Sequence, residues 1–266
     1  MKKTAKLLLL SLFALPLGLF AQDGLSGEEI ALRAKNANRS QNRIVWAKLS
    51  VLDKGSVLET RNMINKMYWE KGKEKTLVRF LDGLKRNVTF YSEEKNDRDD
   101  NIQYIFIPGV GRPRQISSSE KQNDFEDTDM TNEDMGGRKV YDYRYERQKD
   151  ASLKIGDETY QSYVLIAESK NKDARFPKIK FWIDQKSMIP VRANMYGRDQ
   201  KLKRIGLAAK VKEFKPGIFM AQYMYVKDLE KNHETKMQAE KVVWDTPSLS
   251  ANQFTPSNLS KPWSEQ

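Results

Sequence analysis

The amino-acid sequence predicts a mainly β domain of the α+β class, built on one antiparallel sheet that curls or closes on itself. Three observations predict it. Runs of alternating apolar and polar residues recur along nearly the whole chain, separated by short turns. Clear helix-start chemistry marks a single segment, near residue 26. The turns at Lys54-Gly55-Ser56, Asp82-Gly83, Arg198-Asp199-Gln200 and Lys215-Pro216-Gly217 have the composition of hairpins that set successive strands side by side.

The chain opens on Lys2, Lys3 and Lys6 and continues with an apolar stretch from Leu7 to Phe20. That order is the order of a secretory signal. Residues 1–21 are read as the signal, cleaved after Ala21 although Leu19 is larger than the residue preferred there. Residues 22–266 are read as one domain. Pro16 and Gly18 interrupt the apolar run, which is too short to span a bilayer comfortably. Cleavage removes three lysines and no acid, so the net charge falls from +11 to +8. The absence of cysteine excludes thiol catalysis, Cys-ligated zinc and a lipidated N-terminal Cys. Lys and Arg are spread through strands and turns instead of forming one dense run. The basic balance therefore reads as a solvated surface, with a weak pull toward anionic lipid headgroups, and not as a nucleic-acid footprint.

Ser26 followed by Glu29 fits a capping box, with Ile30, Ala31, Leu32 and Ala34 as the apolar content of a short helix. Strands follow at 44–52, 57–70, 75–81, 84–92 and 102–107, the charged run 93–100 being a solvated loop. In the second strand Met63, Met67 and Trp69 share one face by alternation. After a long break, 138–147 alternates strictly, with Tyr141, Tyr143 and Tyr145 on one side. Strands continue at 159–168, 176–183, 189–197, 202–213, 218–228 and 233–244. The Pro-containing tail from 246 to 266 is irregular. Few helices are available to cover so much sheet, so a strongly curved sheet must either pack its interior solid or leave a cavity. The many Met and aromatic residues suit either outcome.

The break at 107–135 carries Pro108, Gly109, Gly111 and Pro113, then Arg112 and Arg114, three serines, and a cluster of carboxylates around Phe125. Loops of this length are uncommon in compact domains unless functional. Catalytic readings of the chain are weak. The one histidine, His233, has no G-x-S-x-G elbow to serve, and the acidic segment fails the calcium-loop pattern because Asn132 and Arg138 stand where glycine and glutamate are needed. Gly109-Val-Gly111 lacks the Lys-Ser/Thr of a phosphate loop. Neither an enzyme, a metal nor a cofactor is expected.

The order of the break also resembles a signature segment. Pro108, Gly111, Arg112, Arg114, Ser117 to Ser119, Phe125, Thr128, Asp129, Glu133 and Asp134 are similar to the corresponding run in the outer membrane lipoprotein-sorting family, related to the carrier LolA. Tyr141-Asp142-Tyr143, Trp182-Ile183-Asp184 with Pro190, and Phe254 to Leu259 resemble further family segments. Glu126-Asp127 departs from the pattern, which has a small apolar residue and a glycine there. The resemblance implies an incomplete antiparallel β-barrel with a helical lid over a hydrophobic cavity. It implies a monomeric periplasmic carrier of lipid or lipoprotein acyl chains, working toward the outer membrane with an inner-membrane transporter of the resistance–nodulation–division type. The alternative is a sensor or adaptor that uses the same fold to bind a protein partner or a lipid signal without transport.

On that reading the cavity is lined by Trp46, Met63, Met67, Trp69, Phe80, Phe90 and Phe106, with Ile30 and Leu32 on the lid. Two roles remain open for Arg112, Arg114, Phe125, Asp129, Glu133 and Asp134. The arginines either pair with the carboxylates and staple the loop across a barrel end, or face a headgroup or partner.

Overall fold

The computed structural model describes residues 24–96 and 99–263; the expected signal and its cleavage point lie outside the described residues. Helix α1 (Gly27–Asn36) starts as its sequence dictates. The Ser26 hydroxyl accepts from the Glu29 amide at 3.2 Å, and the Glu29 carboxylate accepts from the Ser26 amide at 2.7 Å. Thirteen strands follow: β1 (Asn42–Asp53), β2 (Ser56–Glu70), β3 (Lys73–Phe80), β4 (Thr89–Glu93), β5 (Ile102–Phe106), β6 (Arg114–Gln115), β7 (Tyr143–Ile155), β8 (Glu158–Ser169), β9 (Lys178–Asp184), β10 (Pro190–Tyr196), β11 (Leu202–Lys215), β12 (Ile218–Asp228) and β13 (His233–Trp244). A one-turn helix α2 (Asn132–Gly136) sits between β6 and β7.

All strands join one antiparallel sheet in the order β6-β5-β4-β3-β2-β1-β13-β12-β11-β10-β9-β8-β7. Neighbours in the sheet are neighbours in sequence except at β1–β13, which splices two meanders. The sheet does not close, because β6 and β7 remain its edges. Side chains span the gap between them. The Arg175 amide donates to the Gln122 side chain at 2.5 Å, and the Arg175 guanidinium pairs with Asp124 at 2.7 Å.

The curl of the sheet follows from one pair of adjacent residues. Phe125 packs on Phe80 of β3 and Phe90 of β4, while Asp124 reaches Arg204 of β11. In a flat sheet β3 and β11 would be about 24 Å apart. Two neighbouring residues can touch both only if the face they cover is concave.

Inner and outer faces have separate cores. On the inner face Ala47, Leu49, Val51, Met63, Val78, Phe80, Phe90 and Ile105 pack under Phe125 and Met130 of the 107–135 segment. Helix α1 covers another part of the same face, with Ile30 fully buried near Leu165 and Ile183. On the outer face Ile44, Ile64, Leu77, Tyr91 and Phe106 are roofed by Leu249, Phe254 and Leu259 of the tail. Arg79 pins that tail by donating to the carbonyls of Leu259 and Lys261 at 2.7 and 2.8 Å, beneath the Trp263 ring.

Two strands start later than expected. The run expected at 84–92 pairs only from Thr89, because 83–87 form a turn in which the Arg86 and Asn87 amides donate to the Gly83 and Phe80 carbonyls. The alternation at 138–147 suggests continuous strand, yet pairing begins only at Tyr143. Gly137 turns the chain at φ +80°, and Arg138 is held by Glu133 at 2.5 Å and Asp134 at 2.7 Å. These contacts keep 138–142 in the cover segment and out of the sheet.

Candidate functional site: the concave face and its acidic cover

The 107–135 segment lies across the concave face, fastened at several points. Phe125, only 1% exposed, meets Phe90 edge-on at 5.4 Å and Phe80 at 5.9 Å between centroids. Beside it Asp124 makes ion pairs with Arg175 at 2.7 Å, Arg204 at 3.0 Å and Lys231 at 3.0 Å. Arg204 has no solvent exposure and also meets Asp228 at 3.2 Å. A buried guanidinium is tolerable only when carboxylates answer it, so this cluster needs both acids. Burial pushes the Asp124 carboxyl up, but hydrogen bonds from Arg175 and Lys231 and the charge of Arg204 outweigh it and hold it at about 2.

A second fastening uses Asp129, which is 2% exposed. Its carboxylate lies 2.8 Å from His233 Nδ1 and accepts from the Thr235 hydroxyl at 2.8 Å, while its amide donates to the same hydroxyl at 2.8 Å. At the tip, Arg61 donates to the Glu126 carbonyl at 2.8 Å, and Lys85 pairs with Asp127 at 2.8 Å. Asp127 occupies the left-handed region at φ +61°, a conformation that glycine adopts without strain.

Between the two covers the inner face is only partly covered, with Met224 exposed and Ala193, Gly206, Val226 and Met237 half-buried. The register places Ala193, Gly206, Ala208, Val226, Met224 and Met237 side by side across β10 to β13. Met224 is 38% exposed on this strip, whereas Ala208 is 8% exposed and Val226 and Met237 pack against the core beneath Phe125. A polar cavity of about 120 Å³ lies elsewhere, beside the cover, among Lys121, Glu133, Arg138, Asp142 and Arg175. Its charged lining suits polar groups and not alkyl chains.

The residues expected to line a cavity divide. Met63, Phe80 and Phe90 share the inner face, beneath Phe125. Met67 and Trp69 stand on that face toward its other end, next to Arg43, whose guanidinium lies over the rings of Trp69 and Trp244 at 5.6 and 4.9 Å. Trp46 and Phe106 do not join them and are corrected to the outer face. Ala47 is the residue opposite Met63, with a bulge between Trp46 and Ala47, and Ile105 is the residue opposite Phe90. A one-residue difference in register inverts every facing. Ile30 is buried on α1, whereas Leu32 is half-buried at its flank.

The loop residues also find partners other than those anticipated. Arg114 pairs with Glu120 at 2.8 Å and is half exposed, Arg112 is exposed, and Glu133 and Asp134 are taken by Arg138. Burial raises the Glu133 carboxyl. It also raises Asp134, but there the charge of Arg138 and the Thr131 hydrogen bonds win and lower it. The contacts that fasten the segment to the far strands come from Asp124, on Arg175, Arg204 and Lys231, and from the anticipated Asp129, on His233 and Thr235. The sequence held one signal for them: Arg204 and Asp228 occupy positions whose alternation points inward.

A family model described as "Uncharacterized protein"-like matches residues 72–261. A search of curated proteins finds no match. Solved structures do resemble the chain. An outer membrane lipoprotein-sorting protein domain from Vibrio parahaemolyticus aligns with a TM-score of 0.79 and 21% identity over 88% of this chain and 98% of that one. A DUF1329 family protein from Desulfovibrio piger aligns with a TM-score of 0.77 and 22% identity, covering 88% and 97%. A LolA superfamily protein from Nitrosomonas europaea aligns with a TM-score of 0.61 and 17% identity, covering 87% and 98%. The chain therefore belongs to the family described as "Uncharacterized protein"-like, and its open, curled sheet is the fold of the outer membrane lipoprotein-sorting and LolA-superfamily proteins.

Proposed function

We propose that this protein is a periplasmic carrier that holds acyl chains of a lipid or lipoprotein on its concave face, without covalent chemistry. The observation that carries this reading is the apolar strip of Ala193, Gly206, Ala208, Val226, Met224 and Met237, which lies between α1 and the acidic segment and is exposed at Met224. Small residues let a methylene chain approach the backbone, and Met adapts to chains of different shape. Each methylene removed from water contributes about 0.8 kcal/mol. A chain of lipid length is thereby held by burial alone. Release then follows from competition with an acceptor membrane or protein. The family resemblance extends the proposal to delivery toward the outer membrane and to loading by an inner-membrane transporter of the resistance–nodulation–division type. The test is lipid extraction and mass spectrometry of protein purified from its native periplasm. A co-purifying acyl lipid near one equivalent is expected. Lipid-free protein that also fails to bind added fatty acid overturns the proposal.

A further inference from the structure

Among the described residues, six large apolar side chains are strongly exposed, and five of them stand at one end of the barrel. Val57 and Leu58 (62% and 63% exposed) open β2 after the first hairpin turn. Leu84 (91%) tips the β3–β4 turn, Val110 (59%) follows β5, and Leu229 (38%) begins the β12–β13 turn. Hydrogen bonds and register bring these turns together. The Lys54 amide donates to the Asn232 carbonyl at 3.0 Å, which joins the first hairpin to the last. The Leu84 amide donates to the Glu59 carboxylate at 3.2 Å, next to Leu58. Phe106 lies opposite Thr89, so the chain leaving β5 returns to the β3–β4 turn.

The charges at this end are unequal in a useful way. The exposed carboxylates on its turns are already answered: Asp127 by Lys85 at 2.8 Å, Asp173 by Arg198 at 3.5 Å, and Asp199 and Glu230 by Lys203 at 2.8 and 2.5 Å. Among the described residues, the exposed Lys54, Arg86, Arg112, Lys172 and Lys201 at the same end make no ion pair. Each apolar tip thus stands on its own turn with an uncompensated cation within a few residues or on the adjoining turn. A protein-binding patch would gather its apolar groups into a contiguous core. Separate apolar tips interleaved with free cations fit a bilayer surface better, where side chains enter below the headgroups and Lys and Arg meet lipid phosphates.

We propose that this end of the barrel docks on an anionic lipid bilayer. Lys231, which belongs to the same end, also pairs with Asp124 of the cover, so docking brings the membrane to the fastened end of the acidic segment.

The test is flotation of the exported protein with vesicles of phosphatidylcholine alone or mixed with phosphatidylglycerol. Binding to the mixed vesicles is expected to exceed binding to neutral ones by about tenfold and to fall steeply with salt. Leu84→Asp, paired Val57→Asp and Leu58→Asp, and paired Arg86→Glu and Arg112→Glu should each weaken it by about tenfold. All five side chains are exposed, so unchanged unfolding midpoints will show that these variants fold. Equal binding to neutral and anionic vesicles, or binding indifferent to Leu84→Asp, overturns the proposal. So does absence of vesicle binding in a protein whose Leu84→Asp variant instead loses a protein partner.

Discussion

Asp124 and Arg204, 80 residues apart in sequence, meet at 3.0 Å across the mouth of the curled sheet. The contact ties a loop that follows one edge strand to the inner face of β11, near the other end of the strand order. Arg204 is unexposed and lies over the Phe176 ring at 5.1 Å. Its charge is therefore supportable only while Asp124 and Asp228 stay in place.

Removing one acid should cost more than a surface pair would. Asp124→Ala leaves three cations, Arg175, Arg204 and Lys231, gathered around one missing carboxylate. A loss of about 3 kcal/mol is expected, as for other broken buried pairs. Urea denaturation measures it. A loss below about 1 kcal/mol, the range of exposed ion pairs, would show that the cluster does not fasten the cover.

Acid should release the same fastening. The folded Asp124 carboxyl titrates at about 2, below its ordinary 3.8. A group lowered in this way contributes fully above its unfolded value and loses that contribution as pH falls through the folded one. Asp245 behaves alike: burial raises it, while Lys215 and Ser40 hold it at about 2. Stability from these groups is expected to be level above about pH 5 and to decline between about pH 4 and pH 2. Asp124→Asn should be less stable at neutral pH and show a shallower acid limb in a circular-dichroism titration. An acid limb identical to that of the wild type would sink the assignment.

Phe125 is the apolar anchor of the cover. Phe125→Ala empties a site bounded by Phe80, Phe90, Met63 and Met130 and should cost about 3–5 kcal/mol. The vacated space is apolar, so binding of a fluorescent fatty acid should increase in the variant under conditions where it remains folded. Unchanged stability would place Phe125 outside the core.

The apolar strip offers a complementary test of cargo binding. Met224→Glu puts a charge on the exposed part of the strip without touching either fastening of the cover. Acyl-chain affinity should fall by about tenfold or more while the urea midpoint moves little. If affinity is retained, the chain lies elsewhere on the inner face.

Local chemistry made much of the fold readable. The capping box at Ser26 and Glu29 places α1, and alternation places most strands to within a few residues, because both signals live within one turn or one strand. Facing was less legible. Trp46 and Phe106 read as inward because large aromatics look like better core candidates than their neighbours, and nothing local fixes the register that sets Ala47 opposite Met63 and Ile105 opposite Phe90. The fastening of the cover was least legible. Asp124 is visible as one acid among several, but its partners Arg175, Arg204 and Lys231 lie 51, 80 and 107 residues away. Only the curl of the sheet selects them, and curl is a property of all the strands together.

The unpaired edges of β6 and β7 have a mechanical meaning. Where they approach, the barrel is closed by Arg175 on Gln122 and Asp124, not by a ladder of backbone bonds. It is a hoop with a buckle. Its girth can widen by letting go a few polar side chains while every strand keeps its existing pairing and its register. Bulkier contents would then strain the buckle first and the sheet last.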